Sequence, residues 1–402
     1  MVLTSLQGQT GLPRYFARVH ATASRMQRGR LDLVLPDGRH FRAEGADTGP
    51  VAELRIANPD VFARLIREGD LGFCDAYLDG WWDTPDLLAF LDLMHANEEL
   101  FDGFPGMSLV RAYERLRFWL NSNSKAQAKR NISYHYDLGN DFYGLWLDDT
   151  MTYSSALFET GQESLEKAQI AKYASMLDQM EVKPGDHVLE IGCGWGGFAE
   201  YAARERGVKV TGLTISSEQL RYAQERIARA GLSDRVELKL QDYRDETGQY
   251  DGIASIEMFE AVGEKYWPVY FDTLRNRLRP GKTATLQIIT VQDARWETYR
   301  KGVDFIQKYI FPGGMLPSRT ALVGEIERAG LSILRSVEFG ESYSQTLRRW
   351  HETFNARWDE VAEMGFDDRF RRMWNFYLTS CAATFHSGNC DVTQITLRRP
   401  VS

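Results

Sequence analysis

The sequence predicts an α/β protein: a Rossmann-like domain over residues 131–402, joined by a helical linker at 103–130 to a smaller α+β domain over 1–102. Three observations predict it. From Ser164 onward, short apolar runs alternate with helix-length amphipathic stretches, the pattern of strands and crossover helices in a parallel sheet. Within that pattern, the apolar run Val188–Ile191 gives way to glycines at 192, 194, 196 and 197, and then at once to helix-compatible residues from Phe198. Ahead of residue 100, alternation about an Asp-Gly pair points instead to a hairpin followed by helices.

Taken in order, residues 14–28 read as a basic helix. Leu31 to Phe41 alternates around Asp37-Gly38 and reads as a β-hairpin. Val51–Ile56 follows as a strand, Pro59–Glu68 as a helix, and Ala76–Leu93 as an aromatic-rich helical stretch holding Trp81 and Trp82. Residues 107–130 form a connector in which Leu109, Val110, Tyr113, Leu116, Phe118, Trp119 and Leu120 are interleaved with arginines. Such a helix either packs on its own domain or lies on phospholipid headgroups. Helices are then expected at Lys167–Gln179, Phe198–Arg206 and Ser217–Ala230. Strands are expected at Val188–Ile191, Val208–Leu213, Val236–Leu240, Ile253–Ile256 and Ala284–Thr290. A parallel sheet places its ligands at the carboxyl edge, where Gly192, Thr214, Asp242 and Glu260 all fall.

Composition narrows the function. A chain of 402 residues, 43% hydrophobic and 26% charged, is globular and long enough for more than one domain. A net charge of -8 and a pI near 5.5 exclude nucleic acid as the main partner. The charge is uneven, however. Residues 1–30 carry five arginines (14, 18, 25, 28 and 30) and no acid, and residues 103–130 carry six basic residues (Arg111, Arg115, Arg117, Lys125, Lys129 and Arg130) against Glu114 alone. These islands suit an anionic bilayer surface. Four scattered cysteines (74, 193, 381 and 390) make no disulfide framework or zinc motif and fit a reducing cytoplasm. No apolar run approaches a membrane span and the N-terminus lacks a signal core, so the expected location is cytoplasmic, peripheral to the inner face of the membrane.

Chemistry concentrates at the glycine turn. Glycine admits positive φ and lets backbone approach a ligand closely. Here Glu190 precedes Gly192, Gly194 and Gly196, and no spacing for a pyrophosphate follows. That order suits a neutral or cationic adenosyl ligand better than NAD or ATP. It reads as the S-adenosylmethionine loop of a class I methyltransferase. Thr214, Ser216 and Gln219 follow the second strand; they are polar cofactor contacts, or Ser216 simply caps the next helix. Asp242 and Tyr243 follow the third strand, where an acid and an aromatic ring can hydrogen-bond and stack on an adenine. Asn131–Tyr143 and Met151–Ser155 are rich in Tyr, His and Asn and are read as a lid. From it His135, Tyr153 and Ser154 are candidate site residues, aromatic faces being suited to a sulfonium or a carbocation.

At this point the chain resembles a known family. His135-Tyr-Asp-Leu-Gly-Asn140, Met151-Thr-Tyr-Ser154, Glu190-Ile-Gly-Cys-Gly-Trp-Gly196, Gly212-Leu-Thr-Ile-Ser216, Met258-Phe-Glu260, Tyr309-Ile-Phe-Pro312 and Leu316-Pro-Ser318 look like the cyclopropane-fatty-acyl-phospholipid and mycolic acid cyclopropane synthases. Gly69-Asp-Leu-Gly72 and Asp79-Gly-Trp-Trp82 look like the accessory domain of its long members. The resemblance implies methyl transfer from S-adenosylmethionine to a cis double bond of a lipid acyl chain, with proton removal by a bound bicarbonate. It implies catalytic roles for Glu260, Tyr343 and Cys381. Ser155 stands where the family has Cys, Ala261 where it has His, and Ile289 is aligned with the bicarbonate-binding His. An isoleucine side chain cannot donate a hydrogen bond, so a weakened bicarbonate site is expected. These departures look closer to the branch of tuberculostearic acid-type methyltransferases, which give methyl- or methylene-branched chains. Three readings therefore stand: a branching methyltransferase of phospholipid acyl chains, a cyclopropane synthase at the same bond, and a methyltransferase of a soluble small molecule. A homodimer and a partner reductase are compatible with the first, and the residues specify neither.

Overall fold

The computed structural model describes residues 2–101, 112–116, 118, 123–125, 127–128, 130–131 and 138–401. The N-terminal strands β1 (Val2–Leu3), β2 (Arg28–Val34), β3 (His40–Glu44), β4 (Asp47–Ile56) and β5 (Trp82–Asp83) form one sheet in the order β1-β3-β2-β4-β5. β2 and β3 are the expected hairpin. Leu31, Leu33, Phe41 and Ala43 alternate inward, and Gly38 takes the left-handed turn at φ 84°. The helix Val61–Leu78 runs further than expected and is kinked at Gly69, whose φ is 67°. The single helical stretch expected over 76–93 is corrected. The chain turns at Gly80, pairs Trp82 with Ile56 as β5, and only then starts the helix Leu87–Ala96, capped by Asp86. Trp82 drives that break: its indole is fully buried against Phe73 and donates to the Phe73 carbonyl at 2.9 Å.

The second sheet has seven strands: β6 (His187–Ile191), β7 (Lys209–Thr214), β8 (Val236–Leu240), β9 (Tyr250–Ile256), β10 (Leu278–Val291), β11 (Ser332–Glu338) and β12 (Cys390–Arg398). Their order is β11-β12-β10-β9-β6-β7-β8. β8, β7, β6, β9 and β10 run parallel, and β12 lies antiparallel between β10 and β11. β6 is central and covered on both faces, which is why Val188, Leu189 and Ile191 are all buried. From β6 the chain winds outward to β7 and β8, then returns to the other side at β9. A crevice opens at that reversal, above the ends of β6 and β9.

One apolar cluster crosses the boundary between the two sheets, while the seven-stranded sheet keeps two further clusters of its own. The helix Asp368–His386 packs Phe376 against Phe305 and against Tyr77 of the N-terminal domain. Across the same boundary Asp75 accepts from Lys308 at 3.0 Å and from the Tyr309 hydroxyl at 2.6 Å.

Candidate active site

The glycine turn forms one wall of a cavity of about 450 Å³. Gly192, Gly194 and Gly196 all have positive φ (84°, 51° and 82°). A side chain at Gly194 would point into open space, which is where a ligand meets bare backbone. Gly196 serves packing instead. A Cβ there would lie 3.1 Å from the Ala223 Cβ, so it sets the approach of two helices and does not line the cavity. Ser216 is likewise off the wall. It caps the helix Ser217–Arg229 by accepting from the Gln219 N–H at 3.3 Å. Thr214 and Gln219 do line it, the threonine hydroxyl donating to Gln219 Oε1 at 3.0 Å.

Glu190 is buried, and its Oε2 has no hydrogen-bond partner among the described residues. Burial pushes its carboxyl up to about 8, against the pull of Lys172 and Arg226. An orphaned acceptor beside an open glycine turn fits a polar, positively charged ligand. At the end of β8, Tyr243 presents a buried ring and Asp242 is held by Arg244 through contacts of 2.6 and 2.8 Å. Burial works to raise the Asp242 carboxyl, but the Arg244 hydrogen bonds outweigh it and keep the group ionised.

Beyond the cofactor wall the cavity is lined by Ile289, Ile306, Phe311, Leu316, Tyr377 and Phe385, and it reaches His95 of the N-terminal domain. Tyr153 closes over it, its hydroxyl 2.7 Å from that of Tyr377. Ser154 accepts from Lys172 Nζ at 2.6 Å. Cys381 lines the same space, and burial drives its thiol up, which disfavours the thiolate. His135 lies outside the described residues.

Two acids meet at the floor. Glu260 accepts from the Ile289 N–H at 2.6 Å, and its second oxygen has no partner among the described residues. Burial and the neighbouring charge of Glu257 push it up to about 8. Glu257, which no motif in the sequence marks, is the better-served group. It accepts from the Ser155 N–H at 2.8 Å and from Gln287 Nε2 at 2.8 Å, and it is hydrogen-bonded to Tyr343. Gln394 donates to Gln287 Oε1 at 3.1 Å, which fixes the amide so that its NH₂ faces Glu257. Burial raises the Glu257 carboxyl while the ammonium of Lys172 pulls it down; burial in turn lowers Lys172. The sequence reading singles out Ile289 on β10 and does not include its neighbour Gln287. The polar side chain that β10 supplies is Gln287, two residues earlier on the same face, and Ile289 contributes its main-chain N–H.

The strand order and this glycine-walled cavity at the switch point define an S-adenosylmethionine-dependent methyltransferase. A family model described as mycolic acid cyclopropane synthetase matches residues 123–395, and the chain belongs to that family. It is 40% identical over 389 residues to tuberculostearic acid methyltransferase UfaA1 of Mycobacterium tuberculosis, covering 92% of this chain and 88% of that relative. To the cyclopropane-fatty-acyl-phospholipid synthase of Escherichia coli strain K12 it is 38% identical over 353 residues, covering 87% and 88%. The crystal structure of mycolic acid cyclopropane synthase CmaA1, complexed with SAH and CTAB, superposes with a TM-score of 0.64 at 31% identity, covering 67% of this chain and 98% of that one.

Proposed function

We propose that this chain adds the methyl carbon of S-adenosylmethionine to the double bond of an unsaturated phospholipid acyl chain, giving a methyl- or methylene-branched chain. The observation that carries it is that a single cavity is lined both by the glycine turn and by an apolar, aromatic-walled extension. An alkene is a weak nucleophile, so the protein must align it with the methyl donor, exclude water and face the resulting cation with aromatic rings. When bound, the cofactor supplies an electrophilic methyl group. Glu190, Thr214, Gln219, Asp242 and Tyr243, with the backbone at Gly192 and Gly194, would hold it, and Tyr153, Tyr343 and Tyr377 would face the acyl chain. The relative named for a methyl-branched product spans nearly the whole chain, which supports branching. A ring at the same bond is the second reading, supported by the Escherichia coli relative.

The reading also places the protein at a membrane surface. Among the described residues no helix is long and apolar enough to cross a bilayer, while Arg14, Arg18, Arg25, Arg28, Arg115 and Arg130 are exposed. Purified protein given methyl-labelled cofactor and monounsaturated phosphatidylglycerol vesicles should place label in the acyl chains. Mass spectrometry should then show one added carbon and separate ring from branch. Label confined to a water-soluble acceptor would overturn the assignment.

A further inference from the structure

We infer that Glu257 is the general base of this enzyme, a carboxylate tethered to the chain that occupies the donor site a dissociable bicarbonate would need. The inference rests on the alkene-acceptor reading above. The Ser155 N–H, the Gln287 amide and the Tyr343 hydroxyl converge from three separate elements, and all three are used by the Glu257 carboxylate. Gln287 has no freedom to turn away: its oxygen is held by Gln394, and its NH₂ also reaches the Ser155 carbonyl at 3.2 Å. An added anion would find these donors engaged and a fixed negative charge in its place. Bicarbonate does not fit.

The backbone supports the assignment independently. Glu257 has φ 49°, in the left-handed region, immediately after β9 ends at Ile256. A buried glutamate held there is strained, and such strain persists where the surrounding structure demands a particular placement. Here the demand is visible: the left-handed turn brings the carboxylate to the donors while its own N–H still pairs with the Gln287 carbonyl at 2.8 Å. Lys172, fully buried on the helix Leu165–Met180, adds positive charge beside it. Glu260 lacks these supports. With one main-chain donor, a partnerless oxygen and Glu257 as neighbour, it holds a proton at neutral pH. Burial raises Glu257 as well, but of the two acids it is the one whose carboxylate form is held by three donors and a neighbouring ammonium, and so the one placed to accept a proton.

Methyl addition leaves a carbocation on the acyl chain. For a ring, a C–H bond of the added methyl breaks and its electron pair forms the third C–C bond; for a branched alkene, a C–H bond on a carbon adjacent to the cation breaks and its electron pair forms the C=C bond. The proton bonds to a Glu257 oxygen and passes to water as product leaves.

The test compares wild type, Glu257→Gln and Glu257→Gly, each with S-adenosylmethionine and monounsaturated phosphatidylglycerol vesicles, in bicarbonate-depleted buffer and with millimolar bicarbonate. The glycine variant should fold well, because glycine is at ease at φ 49°. Wild type should turn over equally in both buffers. Glu257→Gln should lose roughly 10²- to 10⁴-fold in turnover while binding cofactor normally. Glu257→Gly should be as slow without bicarbonate and recover at least tenfold when it is added. In parallel, ¹³C-bicarbonate NMR on the S-adenosylhomocysteine-loaded proteins should show a bound anion in Glu257→Gly only. Wild-type activity that collapses on bicarbonate removal, bound bicarbonate in wild type, or full activity in Glu257→Gln would overturn the proposal. A wild type that labels no lipid overturns the substrate assignment alone, and the NMR arm then still decides for or against Glu257.

Discussion

Glu257 and Glu260 lie three residues apart, and their surroundings separate them. At Glu257 the donors were assembled at a cost: a non-glycine residue in the left-handed region is disfavoured by roughly 1–2 kcal/mol. At Glu260 nothing comparable stabilises the charged form, and this has a consequence for stability. Its folded pKa, about 8, lies above the ordinary carboxyl value. The folded state therefore keeps a proton that the unfolded chain loses, and the stability this contributes is full below about pH 4.3 and lost as pH rises towards 8. Glu190, also raised to about 8, behaves in the same sense. Glu260→Gln keeps an acceptor for the Ile289 N–H and cannot ionise. Its stability should fall less steeply than wild type between pH 5 and 8, by about 1.4 kcal/mol per pH unit, as read by denaturant titrations at several pH values. Identical slopes for the two proteins would show that Glu260 is ionised in the folded state. Neither Lys172 nor Glu257 is legible in the sequence. A lysine on an amphipathic helix reads as solvated, although its spacing from Ala168 and Met176 places it on the buried stripe. Glu257 reads as one more acid after a strand, because the φ that turns it inward is a property of the folded chain. Glu260 is legible because it lies in a recognisable motif. Ile289 misleads because residues 287 and 289 share one face of β10, so alternation along the strand does not say which side chain meets the acids.

At the scale of elements, the legible strands are those whose burial is simple. β6, β7, β8, β9 and β10 are parallel or central, covered by helices, and separated by amphipathic segments, so apolar runs mark them. β12 escapes because it is buried on both faces yet carries Thr393, Gln394 and Thr396, whose polar groups are satisfied by Ser336, Gln287 and Gln179. β11 escapes for the opposite reason: the whole strand is exposed, so no alternation betrays it. The glycine turn is legible because it joins a strong strand to a strong helix, although only the fold divides its glycines into ligand-facing and packing positions. That division is testable. Gly194→Asp adds a carboxylate where no protein atom lies within 4 Å of the new Cβ, on the cavity side of the turn. Aspartate tolerates left-handed φ better than most residues, so the fold should survive. Calorimetry should show cofactor affinity at least tenfold weaker with an unchanged circular dichroism spectrum. Unchanged affinity in a folded variant would remove the glycine turn from the cofactor site.

At the scale of the whole molecule, one apolar cluster crosses between the two sheets, although the seven-stranded sheet also has two clusters of its own. Tyr77, Phe305 and Phe376 pack as one cluster, and Asp75 ties Lys308 and Tyr309 to the N-terminal helix. Loss of the N-terminal domain would therefore expose core, and the cavity would lose the wall at His95. The charge distribution gives this joined body an orientation. A net charge of -8 repels an anionic bilayer, whereas the exposed arginines near the N-terminus and Arg115 in the connector attract it. Docking must then present the basic islands to the lipid and turn the acidic remainder away. Each basic residue near such a surface contributes about 1 kcal/mol, an attraction screened within a Debye length. Binding to phosphatidylglycerol vesicles should therefore weaken as salt rises, and binding to neutral phosphatidylcholine should be weak throughout. A variant with Arg111, Arg115 and Arg117 changed to Ala should bind anionic vesicles at least tenfold less well at low salt. It should still turn over a detergent-dispersed substrate normally, since the change is aimed at docking and not at the cofactor wall or the acids. Co-sedimentation that is indifferent to salt and to these three arginines would show that the apolar surface of the connector, and not its charge, holds the protein on the membrane.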